Sequence, residues 1–558
     1  MEGVITAKYF WFSRTVSVAT IFAPFFISQK RKIHITDFLF GILAIYICLN
    51  YWYLNNHSNM QWWITLLMLP LYVSIRSVAR NEKLRDLFLF AILMVVLVES
   101  VWGLLQLYGF MRSYHSLYKI TGTLFNPGPY SGFIATGIPL ALGFSIDKSL
   151  PRWKRWPGIA TLTVSILVLP ATMSRAAWIA ALVGCIPILW KWFQVTGLMD
   201  RFRIFKILSP MATRAVLLTA GGLLTMVLLV GVYFMKKDSA DGRWVIWSAS
   251  MKVVKEYTLF GVGYGSFSAV YGDTQAAYFL EKDRSSAQIM VADSPDYAFN
   301  EYVQIAVELG IVGLALFVLL LCSIFYSRNS ILNSSLITFL VFSTFSYPFS
   351  VLPLSILFIF LLALDTPISG KLSLTLPVWL QIVGVTVCWG ITSYATYQIL
   401  PKHATYQKWS SSQKIYNANA YTKAVNEYAV LHPKLKHEKN FLFEYGQSLS
   451  KSGQYAESNQ IFKEYLQYGS DPMAYNCMGN NFKEMGEFSM AENLYLHASQ
   501  IVPNRHYPVY LLMKLYMETG EAEKAKAMAE TLLNKPVKVP STAIREMQRE
   551  AKQLIIKN

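Results

Sequence analysis

The sequence predicts an all-α protein in two parts, a polytopic membrane bundle of about twelve spans followed by a soluble α-solenoid. Three observations carry this. The 558 residues are 54% hydrophobic and only 15% charged, with a mean hydropathy of +0.34, more apolar than an ordinary soluble chain. The apolar residues fall in blocks long enough to cross a bilayer as helices. After Leu400 the composition turns polar, and a short pattern repeats every 33 or 34 residues.

The blocks set the spans. Charge-free runs cover 38–75, 130–146, 156–174, 215–235, 329–364 and 375–400, and 86–110 is interrupted only by Asp86 and Glu99. The two longest runs contain breaks, "LNNHSNM" at 54–60 and "SYPFS" at 346–350, so each reads as two helices joined by a short loop. The stretch 15–28 either spans or lies in the interface. No A-x-A-like cleavage site follows it, so the spans themselves target the protein.

The net charge of +17 invites a nucleic-acid reading, but its distribution argues against one. Lys30, Arg31 and Lys32; Arg76, Arg80, Lys83 and Arg85; Lys148, Arg152, Lys154 and Arg155; and Lys191, Arg201, Arg203 and Lys206 fall in alternate loops. That is the positive-inside pattern, and it places these loops in the cytoplasm. The loops at 111–129, 171–175, 236–300 and 346–350 then face the opposite side, as does everything from 401 onward. Cys48, Cys185, Cys322 and Cys388 sit in membrane runs and Cys477 stands alone, so no disulfide framework is implied.

The long loop 236–300 contains "DGRWVIWSASMKVVKEYTLFGVGYGSF" at 241–267. Trp244, Trp247, Met251 and Val254 recur at helical spacing, which predicts an interfacial amphipathic helix over 243–257. The following "GVGYG" resembles a phosphate loop, but no strand precedes it, and a turn closing the helix is the expected structure.

In the tail, "YGQSLSKSGQYAESNQIFKEYL" (445–466) aligns with "MGNNFKEMGEFSMAENLYLHAS" (478–499). Gly446 matches Gly479, Gly453 matches Gly486, and Phe462 matches Tyr495, each 33 residues on. A third copy at 517–533 brings Gly520 and Ala525 onto Gly486 and Ala491, and a weaker copy precedes them at 409–436. Helix–turn–helix units of this period are the tetratricopeptide signature, and their stacked concave face commonly binds protein segments. The domain division is therefore 1–400, membrane, and 401–558, repeats.

Charged and amide residues at membrane depth mark the candidate site, because each must be compensated. Arg175, in "ATMSRAAW", opens a span, and Arg243 opens the amphipathic helix. Guanidinium groups there suit a lipid-linked phosphate or pyrophosphate, or simply snorkel to headgroups. Asn300, Gln304 and Glu308 recur four residues apart and share a face with Glu301 beside them, so that face must look into the bundle or a cavity. Glu99 is a second acid inside a span. Glu308 and Glu99 read first as helix–helix hydrogen-bonding groups. Asp293, Asp296 and Glu301, nearer the water, suit proton transfer. No metal site, Gly-x-Ser-x-Gly, Cys–His pair or P-loop is present, and His57 and His115 have no partner at ligand spacing.

"TGTLFNPGPYSGFIATGIPLALG" (121–143), "SRAAW" (174–178), "GRWVIW…GVGYGSF" (242–267) and "NEYVQIAVELGIVG" (300–313) resemble, in order, the blocks of the O-antigen ligase and polymerase superfamily. The resemblance covers 121–345. It implies a metal-independent glycosyltransferase of the inner membrane, without cofactor. Such enzymes move a glycan from an undecaprenyl-pyrophosphate carrier to a hydroxyl of lipid A–core or of a protein, on the periplasmic side. By that resemblance Arg175 and Arg243 hold the pyrophosphate, Arg243 with Glu301 or Asp296 is catalytic, and Asn126, Asn300, Gln304, Glu308 and Glu99 line the cavity. The chain departs from the family where ligases carry a histidine before Asn, because Phe299 stands there. The alternatives are a polymerase joining carrier-linked repeat units, and a non-catalytic scaffold or a transporter of lipid-linked glycans. The repeat tail presents a partner surface in either case.

Overall fold

The computed structural model describes residues 2–27, 32–55, 60–195, 237–281, 285–324, 329–365 and 373–557. The expected span at 215–235, the basic residues Arg201, Arg203 and Lys206, and His57 lie outside the described residues. The architecture is helical throughout, with one small ribbon. Strand β1 (Lys32–His34) pairs antiparallel with β2 (Ser373–Thr375), Lys32 opposite Thr375, and ties the chain before the second helix to the chain before the last membrane helix.

The membrane part is built from α1 (Glu2–Phe22), α2 (Ile35–Asn50), α3 (Met60–Val78), α4 (Glu82–Leu107), α5 (Pro127–Ile146), α6 (Arg152–Ala171) and α7 (Arg175–Val195). It continues with α8 (Lys237–Glu256), α9 (Phe267–Leu280), α10 (Ser286–Val291), α11 (Glu301–Ile324), α12 (Ser330–Ser343), α13 (Leu352–Leu364) and α14 (Val378–Asn417). Among the described residues six helices are long and apolar enough to cross a bilayer, and α12 and α13 are shorter apolar helices. This is a multi-pass membrane protein. The break at 346–350 separates α12 from α13 as a 3₁₀ turn at Pro348–Ser350. The stretch 15–28 falls largely in the second half of α1, a helix from Glu2 that packs along α14 and α3.

Helix α5 is the axis of the bundle, packed by α4, α6, α7 and α12. Glycines let these neighbours close in. A Cβ on Gly137 would lie 2.5 Å from Val96, and one on Gly143 would lie 2.7 Å from Ile331. Close approach through small residues is how helices associate where lipid is as apolar as leucine.

Arg76, expected in a basic loop, instead lies inside α3 and is buried. Its Nε donates to Asp37 Oδ1 at 2.8 Å, Tyr72 Oη donates to the same oxygen at 2.6 Å, and its Nη1 reaches the Asp365 and Ala363 carbonyls. The ion pair explains the correction. A guanidinium with a buried carboxylate and two carbonyls need not leave the bundle.

The tail stacks four helix pairs. The C-terminal half of α14 pairs with α15 (Tyr421–Leu435), α16 (Lys439–Lys451) with α17 (Tyr455–Tyr465), α18 (Pro472–Glu484) with α19 (Phe488–Ile501), and α20 (Tyr507–Glu518) with α21 (Ala522–Asn534). Helix α22 (Thr542–Lys557) covers the end. Each turn holds one left-handed residue: Asn419 (φ 60°), Gly453 (φ 81°), Gly486 (φ 79°) and Gly520 (φ 78°), spaced 34, 33 and 34 residues apart. Asparagine tolerates this conformation better than other side-chain-bearing residues, which is how the weaker first copy keeps its turn. Gly446 and Gly479 sit against Phe462 and Tyr495, the aromatic partners of their own repeats. The change of composition at Leu400 falls inside α14, which runs unbroken from the bundle into the tail.

Candidate functional site

The segment between α8 and α11 is held by a break in α11. Gly310 adopts φ 66° and ψ −171° and interrupts the helix. The "GVGYG" backbone docks there: Val262 N donates to Val307 O at 2.9 Å, Gly263 N to Glu308 O at 3.0 Å, and Ile311 N to Thr258 O at 2.9 Å. Glycine is required on both sides of this contact, since a Cβ on Gly261 (φ 71°) would lie 2.5 Å from the Glu308 backbone. The Glu308 carboxylate accepts from Gly265 N (2.9 Å), Phe267 N (3.4 Å) and Gln304 Nε2 (3.2 Å). The loop's amides are thus engaged by the chain's own carboxylate, an internal anion where a nucleotide phosphate would sit.

Other polar groups at membrane depth are compensated in the same manner. Glu99 accepts from Thr123 N (3.1 Å) and Thr123 Oγ1 (2.5 Å). Gln106 Oε1 takes the amides of Thr121 and Gly122, and Lys8 Nζ donates to Thr123 O at 2.8 Å. Together they fix the turn that leads into α5. Asn300 Oδ1 accepts from Tyr302 N and Val303 N, starting α11 rather than facing a cavity. Glu301 is 3% exposed and accepts from Phe349 N at 2.7 Å.

Three strained residues converge here. Among the described residues, the non-glycine positions with left-handed φ are Phe125 (63°), Met173 (54°), Phe299 (52°) and Asn419. The first three immediately precede the starts of α5, α7 and α11. They deliver Asn126, Arg175 and Asn300–Glu301. Such a conformation costs about 1–3 kcal/mol per residue and persists only where the surroundings demand it.

Contacts join these helix starts. Asn126 Oδ1 accepts from Gly128 N, capping α5, and its Nδ2 lies 3.5 Å from Tyr347 Oη. Tyr347 stacks on Tyr297 (4.7 Å between centroids) and meets Phe299 edge-on (5.1 Å). The Arg243 guanidinium lies over the Phe299 ring at 5.9 Å. Burial, and after it the neighbouring charge of Arg175, push the Arg243 pKa down to about 10. The two arginines are therefore close enough to repel, and an anion between them relieves both the desolvation and the repulsion.

Residues 160–318 match the O-antigen ligase family model, and residues 406–471 match the YpiA-like, C-terminal tetratricopeptide repeats. Over that stretch the membrane part is similar to the O-antigen ligase family. A search of the curated proteins finds no match to the chain. The ligase match takes in Arg175, Arg243, the loop and the start of α11, while Glu99, Asn126 and Tyr347 lie outside it. The family's function is of the O-antigen ligase or polymerase type, glycosyltransferase-like and in the membrane.

On the other side of Glu301 and Tyr297 lies a cavity of about 490 Å³, lined among others by Asp296, Tyr297, Glu301, Gln304 and Glu308. Arg175, Arg243, Asn126, Asn300 and Glu99 are not among its lining residues. The candidate residues thus divide into an arginine–aromatic cluster and an acidic cavity, which meet at Tyr297 and Glu301. Two of the acids expected to move protons are tied to the tail: Asp296 to Lys439, and Asp293 to Arg505 at 3.5 Å.

Helix α8 begins at Lys237, six residues before the expected start, and it turns differently from expectation. Its packed face is Val245, Ile246, Ala249 and Val253, while Trp244 and Met251 face outward, and Trp247 Nε1 donates to Ala298 O at 2.9 Å. Sequence reasoning missed Tyr347 and Tyr297. Tyr347 sits in "SYPFS", whose only signal was a helix break.

Proposed function

We propose that the protein transfers a glycan from an undecaprenyl-pyrophosphate carrier to an acceptor hydroxyl at the periplasmic face of the inner membrane. The observation that carries this reading is the pair Arg175 and Arg243, mutually repelling, with Arg243 half-buried over Phe299. Guanidinium binds phosphate oxygens bidentately and stays charged where a lysine would lose its proton. As the anomeric carbon–oxygen bond breaks, negative charge gathers on the departing pyrophosphate, and the pair stabilises it there more than in the ground state. The acceptor oxygen forms the new bond to the anomeric carbon, and its proton passes to a base.

Glu301 is the base we assign. It lies two residues from Phe299, which stands where the family carries a histidine, and it faces the acidic cavity where an acceptor enters. Asp296 is the weaker candidate because its carboxylate is already paired with Lys439. Asn126 and Tyr347 position the aromatic wall on which Arg243 rests. The alternation of basic loops supports a cytoplasmic location for the opposite ends of the helices and a periplasmic one for the tail.

Lipid A–core and a protein hydroxyl are both acceptors of this chemistry. A polymerase, joining units on the carrier, is a second reading favoured by the cavity's apolar floor, which suits a lipid-anchored acceptor. The test is a deletion strain complemented with wild type or Arg243→Ala, blotted for lipopolysaccharide ladders and for periplasmic glycoproteins. Loss of either product at normal expression supports the transferase and names the acceptor, and collapse of ladder length alone identifies the polymerase. Survival of both products unchanged removes the transferase reading.

A further inference from the structure

The acidic cavity is not made by the membrane helices alone. Its lining includes His437, Glu438, Lys439, Asn440 and Tyr468, all from the repeat tail. We infer that the tail forms the outer wall of the acceptor chamber and so selects the acceptor, a glycan carried on an apolar anchor. This rests on the transferase reading above and adds to it the tail's role and the ligand's class.

The wall is held in place, not merely adjacent. Met60 N donates to Glu438 Oε1 at 3.2 Å, and Lys439 pairs with Asp296. Ser268 Oγ donates to Tyr468 O at 2.7 Å, while Ser470 N and Oγ both donate to Ser268 O, at 3.0 and 2.9 Å. The Gly272 amide donates to Ser470 Oγ at 2.7 Å. With α14 continuous between bundle and tail, the wall has no loop about which to swing.

The lining states what fits. Its floor, with Leu43, Ile47, Ile305 and Phe358, is apolar and lies at membrane depth. Above it Trp62 and Tyr264 present rings, Trp62 already stacked on Tyr51 at 3.6 Å between centroids, and Thr65 and Tyr264 share a hydrogen bond of 2.9 Å. The upper part carries Asp296, Glu301, Glu308 and Glu438 against one cation, Lys439. The cation, Lys439, is already paired with Asp296, which leaves no lysine or arginine of the lining free to hold a phosphate. Sugar hydroxyls are donors to carboxylates and amides, and the C–H faces of a sugar ring lie well on aromatic rings. The volume of about 490 Å³ is that of a site for a small ligand. Cations sit in one compartment and carboxylates in the next, so carrier phosphate and acceptor glycan are sorted by charge.

The test uses the full-length protein in nanodiscs, with its five cysteines replaced and Asn440→Cys added, following the rate of maleimide labelling. The probes are dodecyl β-maltoside, a glycan on an alkyl tail, and dodecyl phosphate, an anionic phosphate on the same tail, both below micelle-forming concentration. Occupancy slows labelling by 1 + [L]/Kd, so maltoside at a few times its Kd slows it roughly fivefold. Dodecyl phosphate leaves the rate within about twofold, and Thr531→Cys, far out on the tail, responds to neither. Trp62→Ala abolishes the protection with Thr531→Cys labelling unchanged, and Arg243→Ala leaves it intact. Equal slowing by both amphiphiles, or none by either, overturns the inference. Protection that persists while Arg243→Ala proves harmless in cells removes the transferase reading and leaves the glycan chamber standing.

Discussion

Asn504 offers a quantitative test of how the tail is fastened to the membrane part. Its carboxamide, 7% exposed, donates to Ile289 O (3.0 Å), Met290 O (3.1 Å) and Ala292 O (2.7 Å), the carbonyls that end the short helix α10. Ile289 O also takes the Ala292 amide at 3.2 Å, and the tail supplies the donor for the acceptors that the helix end leaves over. Two protons serve three carbonyls, so Asn504→Ala removes the equivalent of two hydrogen bonds and leaves the Ala292 carbonyl buried. At about 1 kcal/mol per bond, with a further ~1–2 kcal/mol for the stranded acceptor, the loss is about 3–4 kcal/mol. Opening of 286–292 then becomes at least roughly 150-fold more frequent, since each 1.36 kcal/mol is a factor of ten. Hydrogen exchange on the full-length protein reads this directly, with the amides of α16 and α17 as an internal control. Gln275 makes the reverse connection, donating to Ile501 O at 2.6 Å, so Gln275→Ala loosens the same joint and the double variant loses less than the sum. Protection of 286–292 within about twofold of wild type in Asn504→Ala would falsify this account of the docking.

Gly261→Ala forces a Cβ against the Glu308 backbone at a left-handed position, and costs roughly 2–4 kcal/mol by the sum of conformational and overpacking penalties; the thermal midpoint of the purified protein falls, and an unchanged midpoint refutes the docking of "GVGYG" at the α11 break. In the tail, Gly479→Ala drives into Tyr495 and costs about 1–3 kcal/mol, whereas Gly486→Ala meets open space and costs only its left-handed strain, about 1 kcal/mol; the same melting assay ranks them, and the reverse order sinks the packing argument. Asp37→Asn leaves Arg76 buried without its counter-charge at a cost of about 3–5 kcal/mol, read as lost thermal stability in detergent, with no change expected in the arginine cluster. The Arg243 proton is the one whose loss pH can reach: with its pKa lowered to about 10 in the free protein, donor capture is pH-independent below that value. Above it, kcat/KM for the carrier falls as the neutral form takes over. A flat profile through pH 10 to 11 would show that burial and Arg175 do not bring loss of the Arg243 proton within reach.

Several features were legible because they depend on local composition alone. Charge-free runs marked most of the membrane helices, and the period of 33 to 34 marked the repeats and the glycines of their last three turns. The grouping of Asn300, Glu301, Gln304 and Glu308 was also readable, since a helix fixes which side chains share a face. Their different duties were not. Asn300 caps its own helix, Glu308 binds a loop some forty residues upstream, and Glu301 meets Phe349 from beyond α12, choices made by partners distant in sequence. Arg76 was misread for the same reason, because nothing near it announces Asp37.

Sequence by itself determined that this chain enters the membrane many times, ends in stacked helix pairs, and carries two arginines and a set of acids at membrane depth. The hydrophobic effect and helical periodicity act on neighbours along the chain, so they leave a written pattern. Only the tertiary structure decided that Arg243 lies on an aromatic wall within reach of the Arg175 charge, that several of the acids face a separate chamber, and that the tail lines that chamber. Those placements depend on electrostatic and hydrogen-bonding contacts between segments up to some four hundred residues apart. Such contacts have no period for a sequence to display.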